Sequence, residues 1–95
     1  SQARQWVGSM NRSQQAHFLE KNAFAKTLDQ LYLGIKPETD SYLYRVFVQG
    51  KGDRVVNAGI AKQDGLKSYI GFVRLYKRAG INETTTLATL CESQQ

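Results

Sequence analysis

One long amphipathic segment leads the chain, and it limits what the remaining residues can build. From Gln2 to about Asn22, the residues Ala3, Trp6, Val7, Met10, Gln14, His17 and Phe18 recur at the i, i+3, i+4, i+7 spacing of one helical face. Arg4, Arg12, Gln15, Glu20 and Lys21 fall largely elsewhere. No proline interrupts the segment, and only Gly8 lowers its helix propensity. The stripe is densest at Ala3, Trp6, Val7 and Met10 and weakens through Gln14 and His17. Everything after Phe24 has the pattern of short strands and turns. A sheet needs apolar cover on one face, and this is the only long helix available to provide it.

The period changes to two at Tyr42. Tyr42, Tyr44, Val46 and Val48 alternate with Leu43, Arg45, Phe47 and Gln49. Gly50 to Asp53 is a hairpin signal. A second strand is expected from Arg54 to about Ala61, with Val56, Ala58 and Ile60 on one face. After a turn around Asp64-Gly65, a third strand runs from Tyr69 to Lys77, with Tyr69, Gly71, Val73 and Leu75 set against Ile70, Phe72, Arg74 and Tyr76. A fourth, from Thr84 to Cys91, is rich in β-branched residues. Between helix and sheet, Asn22 is a plausible helix end. Thr27 is a candidate cap for a short helical turn, and Leu28, Leu31 and Leu33 are expected to tuck that loop onto the core. Residues 92–95 form a polar tail expected to fray. The predicted fold class is α+β: an N-terminal helix on a four-stranded antiparallel meander, in one domain spanning residues 1–95. The expected core includes Trp6, Val7, Met10, Phe18, Val46, Val56, Ile60 and Val73.

The chemistry-bearing residues are sparse. The only cysteine, Cys91, rules out an intrachain disulfide and any cysteine-cluster metal site. At the end of an apolar run, Cys91 is expected to be a buried thiol. His17 has Ser13 and Lys21 at helical i±4 spacing, so no ligand pair forms around it. Gly50-Lys51-Gly52 lacks the phosphate-loop pattern. No catalytic residue, cofactor site or metal site is assigned, and the chain is not read as an enzyme. No run approaches the roughly 18 apolar residues of a membrane span.

The net charge of +5 permits polyanion binding without requiring it. Lys62 and Lys67 bracket one loop, and Arg74, Lys77 and Arg78 end the third strand. With Tyr69 and Tyr76 nearby, these five basic residues form a candidate DNA or polyanion contact if their loops share one end or face of the domain. The competing reading is a set of solvated charges with tyrosines in the core. It is favoured, since runs of five or more like charges are absent.

Several literal strings identify a resemblance. QWVGSMNRSQQA (residues 5–16), FLEKN (18–22), LGIKPET (33–39), DGLKSYIG (64–71) and LCES (90–93) are spread over most of the chain, from residue 5 to residue 93. They resemble the type IV pilin-like proteins of cyanobacteria, related to the general-secretion pseudopilins G and H. The resemblance implies a long helix whose second half packs on an antiparallel sheet. It also implies an apolar first half upstream of Ser1, which anchors the precursor in the inner membrane and later forms the filament core. The implied function is that of a structural subunit, major or minor, of a type IV pilus or related secretion filament that serves motility, adhesion or DNA uptake. The implied partners are other pilin subunits and the assembly machinery, and the implied location is the cell surface after assembly. The isolated head is expected to be monomeric. The alternative is a nucleic-acid-binding module using the basic and aromatic residues above. Trp6 is a candidate subunit contact, expected to sit partly exposed near the lower edge of the head.

Overall fold

The computed structural model describes residues 1–94, and it has the predicted architecture. Helix α1 (Gln2–Lys21) is followed by a single 3-10 turn, Asp29–Leu31. Then come β1 (Tyr42–Gln49), β2 (Arg54–Ala61), β3 (Tyr69–Lys77) and β4 (Thr84–Glu92). The strands form one sheet in the order β1-β2-β3-β4, every pair antiparallel. Short reversals joining consecutive strands leave a meander as the direct solution.

Local hydrogen bonds mark the first and last residues of α1. Ser1 is the N-cap, its hydroxyl accepting from the Arg4 N–H. Asn22 ends the helix in the left-handed conformation, φ 56°, and its N–H donates to the Phe18 carbonyl. Asn tolerates that conformation better than most residues. The side of α1 facing the sheet is Ala3, Val7, Met10, Asn11 and Gln14, all buried. Two of the five are amides, so the stripe does not weaken where its hydrophobicity does. Gln14 is completely buried.

The sheet is covered on one face only. Tyr44, Val55, Asn57, Gly59, Tyr69, Gly71 and Val73 point toward α1 and the loop that follows it. Phe24, Ala25 and Leu31 of that loop are buried beside the helix, and Phe18 and Phe24 pack with ring centroids 5.0 Å apart. Leu28 packs at the margin of the core, whereas Leu33 stays 37% exposed and outside it, contrary to expectation.

Strand β2 differs from the sequence reading in which face it buries. Val56 and Ile60, expected in the core, lie on the outward face; Val55, Asn57 and Gly59 face the helix. Period-two counting chose the richer apolar set. The approach of α1 chose the other. A Cβ at Gly59 would stand 2.9 Å from Val7 Cγ2, and one at Gly71 would collide with the Asn11 carboxamide. Only glycines admit the helix this close to β2 and β3. Val46 is half-buried on the core face, as is Trp6 at the opposite end of the domain from Phe24.

At the end of β4, Glu92 still pairs with Tyr69 of β3, and Ser93 exchanges two hydrogen bonds with Ser68, each 2.9 Å. The expected fraying therefore does not begin at Glu92; Gln95 lies outside the described residues. Cys91 is exposed on the outward face of β4, because that face has no cover.

Candidate functional site

The helix–sheet interface is tied by a chain of buried amides. Asn57 Nδ2 donates to Asn11 Oδ1 at 2.8 Å, and Asn11 Nδ2 donates to the Thr89 carbonyl at 3.0 Å. Gln14 Nε2 donates to the Ala25 carbonyl at 3.1 Å and to Asn57 Oδ1 at 3.3 Å. The Ala25 N–H returns a bond to Gln14 Oε1 at 2.8 Å. The chain runs from β4 through α1 and β2 to the loop after the helix. Among the described residues no buried side-chain nitrogen or oxygen lacks a partner. A fully satisfied network fixes the helix in one register on the sheet, since any slide would strand several polar groups. Period-two reading missed Asn57. Its signal was there: Asn57 lies directly across β2–β3 from Gly71, the one position on β3 with room for an amide above it.

The five basic residues proposed from sequence do not gather in one place. Lys62 and Lys67 sit in the β2–β3 connection. Lys77 and Arg78 lie at the far end of β3, about 27 Å along the strand at 3.4 Å per residue. Lys62 Nζ bonds Glu38 Oε2 at 2.6 Å, and Lys67 Nζ bonds Glu92 Oε2 at 2.9 Å. Arg74 points outward, its guanidinium 5.8 Å from the centroid of the Tyr76 ring. Tyr69 is buried against the helix start, where its hydroxyl accepts from Ser1 Oγ at 3.2 Å.

Glu92 joins three elements, because Arg4 Nη1 also reaches its Oε1 at 3.2 Å. Its carboxyl is held below the ordinary value, first by the hydrogen bond and charge of Lys67 and then by Arg4. Lys62 does the same to Glu38. Both carboxylates therefore contribute stability above the unfolded-state value of about 4.3, and that contribution is lost as pH falls through their lower folded-state values. Glu92→Gln should lower the melting temperature at neutral pH and flatten its decline between about pH 5 and pH 2. An unaltered acid limb, measured by circular dichroism, would show that the Arg4–Glu92–Lys67 cluster is not coupled to folding.

Trp6 packs obliquely on Tyr44, centroids 5.3 Å apart and planes at 50°. Tyr44 in turn stacks on Tyr42, whose hydroxyl donates to the Lys67 carbonyl at 2.7 Å. Desolvation raises the Tyr44 phenol above its ordinary value. Trp6 thus has one face in the core and one toward a surface depression shared with Tyr42, Asp40 and Leu66. The most exposed large apolar side chains are Leu19, 81% exposed on α1, and Tyr32, 91% exposed after the 3-10 turn.

His17 lines an open groove of about 550 Å³ with Glu20, Lys26 and Gln30. Its Nδ1 lies 2.7 Å from the Ala23 carbonyl, so Nδ1 carries the proton and donates. Among the described residues no group of three His, Cys, Asp or Glu side chains could hold a metal ion, and no helix is long and apolar enough to cross a membrane.

No curated protein and no solved structure matches this chain. The family described as type IV pilin-like G and H matches it from residue 1 to residue 95. That span takes in the capped helix, the loop whose backbone Gln14 holds, and all four strands of the meander. The chain belongs to the type IV pilin-like G and H family.

Proposed function

We propose that the chain is the globular head of a subunit, major or minor, of a type IV pilus or related secretion filament in a cyanobacterium. In this reading the subunit waits in the inner membrane with its head in the periplasm, held by the apolar helical segment that the resemblance implies. It moves to the cell surface on assembly. Motility, adhesion and DNA uptake are the activities such a filament would serve.

The observation that carries the reading is the one-sided use of α1. Its inner side is spent on the sheet, while Leu19 stands 81% exposed on its other side and Trp6 keeps one ring face open at the helix entrance. An isolated head gains nothing from exposing these groups; a subunit packed among copies buries them. Single exposed apolar residues are common, so the test must separate assembly from folding. In cells, Leu19→Asp in the complete gene should abolish surface filaments while changing the stability of the isolated head by less than about 0.5 kcal/mol. Trp6→Ala should impair assembly as well, and should cost the head about 1–2 kcal/mol because the Tyr44 contact is lost. Filaments of normal number and length in both variants would overturn the reading. Sedimentation of the isolated head at micromolar concentration should give a monomer.

A further inference from the structure

The face of the sheet turned away from α1 is uncovered, and its composition is unusual for a solvated surface. Register places Phe47, Val56, Phe72 and Thr89 in one row across all four strands. The next row is Gln49, Arg54, Arg74 and Leu87. Phe47 and Phe72 are 47% and 44% exposed, two strands apart, hence about 10 Å from each other. Arg54 and Arg74 are direct cross-strand neighbours. Like charges so placed repel. No outward position on any of the four strands is acidic, and among the described residues neither arginine has an ion-pair partner. A depression of about 430 Å³ lies between the two rows, bordered by Arg54, Val56, Phe72, Arg74 and Leu87.

Asp53, in the β1–β2 turn, stands near Arg54 but beyond ion-pair distance. An arginine pair without an ion-pair partner beside exposed phenyl rings suits an anion that also has flat apolar surface. A second copy of this face would bring more arginines and no carboxylate, leaving buried charge unpaired. Duplex nucleic acid would offer phosphates but keep its bases from the rings. Single-stranded nucleic acid offers both: aromatic side chains on an open four-stranded sheet stack its bases, and arginines hold its phosphates. We infer that the outward sheet face binds single-stranded nucleic acid, with bases stacked on Phe47 and Phe72 and phosphates at Arg54 and Arg74. Of the basic residues singled out from sequence, only Arg74 belongs to this site.

The test is fluorescence anisotropy with a labelled oligothymidine of about twelve nucleotides, at about 50 mM salt and above. Binding should weaken steeply as salt rises. Phe47→Ala with Phe72→Ala should weaken it about tenfold or more, whereas the paired Tyr substitutions, which keep a stacking ring, should retain it. Arg54→Gln with Arg74→Gln should weaken binding and shrink the salt slope by about 1.4, the value for two phosphates on a single strand. A duplex of the same length should bind more weakly. Melting curves identify any variant that fails to fold, and the tyrosine and glutamine pairs keep the inference testable if the alanine pair does. Absence of binding at low salt would overturn the inference, as would equal affinity for the duplex. So would binding unaffected by the phenylalanine changes but abolished by Lys77→Gln with Arg78→Gln. A dimer in sedimentation that Phe72→Ala dissolves would give the face to a second copy instead. None of these outcomes depends on filament assembly, which Leu19→Asp tests separately.

Discussion

Gln14→Leu should destabilise the head by about 4 kcal/mol, although it replaces a polar residue with an apolar one of similar size at a buried helix position. The change leaves the buried N–H and C=O of Ala25 and the Oδ1 of Asn57 each short of one bond. An unpaired buried group costs about 1–3 kcal/mol, and the added apolar contact recovers part of the sum. A domain of this size is stable by roughly 5–14 kcal/mol, so the loss is a large share of the total. In thermal unfolding it should lower the midpoint by about 20 °C. Gln5→Leu, at an exposed position of the same helix, should stay within about 0.5 kcal/mol of the parent. Hydrogen exchange supplies the local readout: the Ala25 amide should lose its protection in the Gln14 variant before the β2 and β3 amides do. A cost below about 1 kcal/mol would mean that the loop is held by Phe24 and Leu31 packing alone.

Gly71→Ala should cost about 3 kcal/mol for a different reason. The new methyl would occupy the space of the Asn11 carboxamide, so either α1 lifts from β3 or Asn11 rotates away. Lifting the helix loosens Val7 and Met10, both fully buried. Rotating Asn11 breaks its bonds to Asn57 and Thr89. Overpacking of this kind costs about 1–3 kcal/mol, and a broken buried amide pair adds to it. The combination Gly71→Ala with Asn11→Ala makes room for the methyl and removes the amide in one step. It should therefore be less destabilised than the two single changes added together, by about 1 kcal/mol or more in a double-mutant cycle. Strict additivity would show that the two residues do not share the space between helix and sheet.

Local sequence determined the elements. An unbroken run without proline makes α1 helical as far as its end at Asn22, and the hairpin signals place all four strands. Alternation within β1 and β3 also identified the buried faces correctly, because there the apolar side and the packed side coincide. In β2 they do not. Val56 and Ile60 make the more hydrophobic face, but the helix needs Gly59 for approach and Asn57 for its amides, so tertiary packing turned the other face inward. The same conflict hides Gln14 from a reading by hydrophobicity, since its burial depends on the backbone of Ala25, a partner no periodicity in α1 can reveal.

The candidate surfaces divide in the same way. That Trp6 would be only partly buried was legible from its place near the start of the helix, at the edge of the head. The basic residues were legible as charges, but their grouping depends on distance across the fold. A nine-residue β3 carries Lys67 and Lys77 to opposite ends of the domain, while antiparallel register brings Arg54 and Arg74 side by side. Sequence by itself determined which residues carry charge and which segments become helix or strand, because those depend on neighbours a few positions away. Only the tertiary structure decided which face of the sheet would be left open to carry Phe47, Phe72 and the arginine pair. That choice was made by the close approach of α1, which packs where Gly59 and Gly71 leave room and where Asn57 answers its amides.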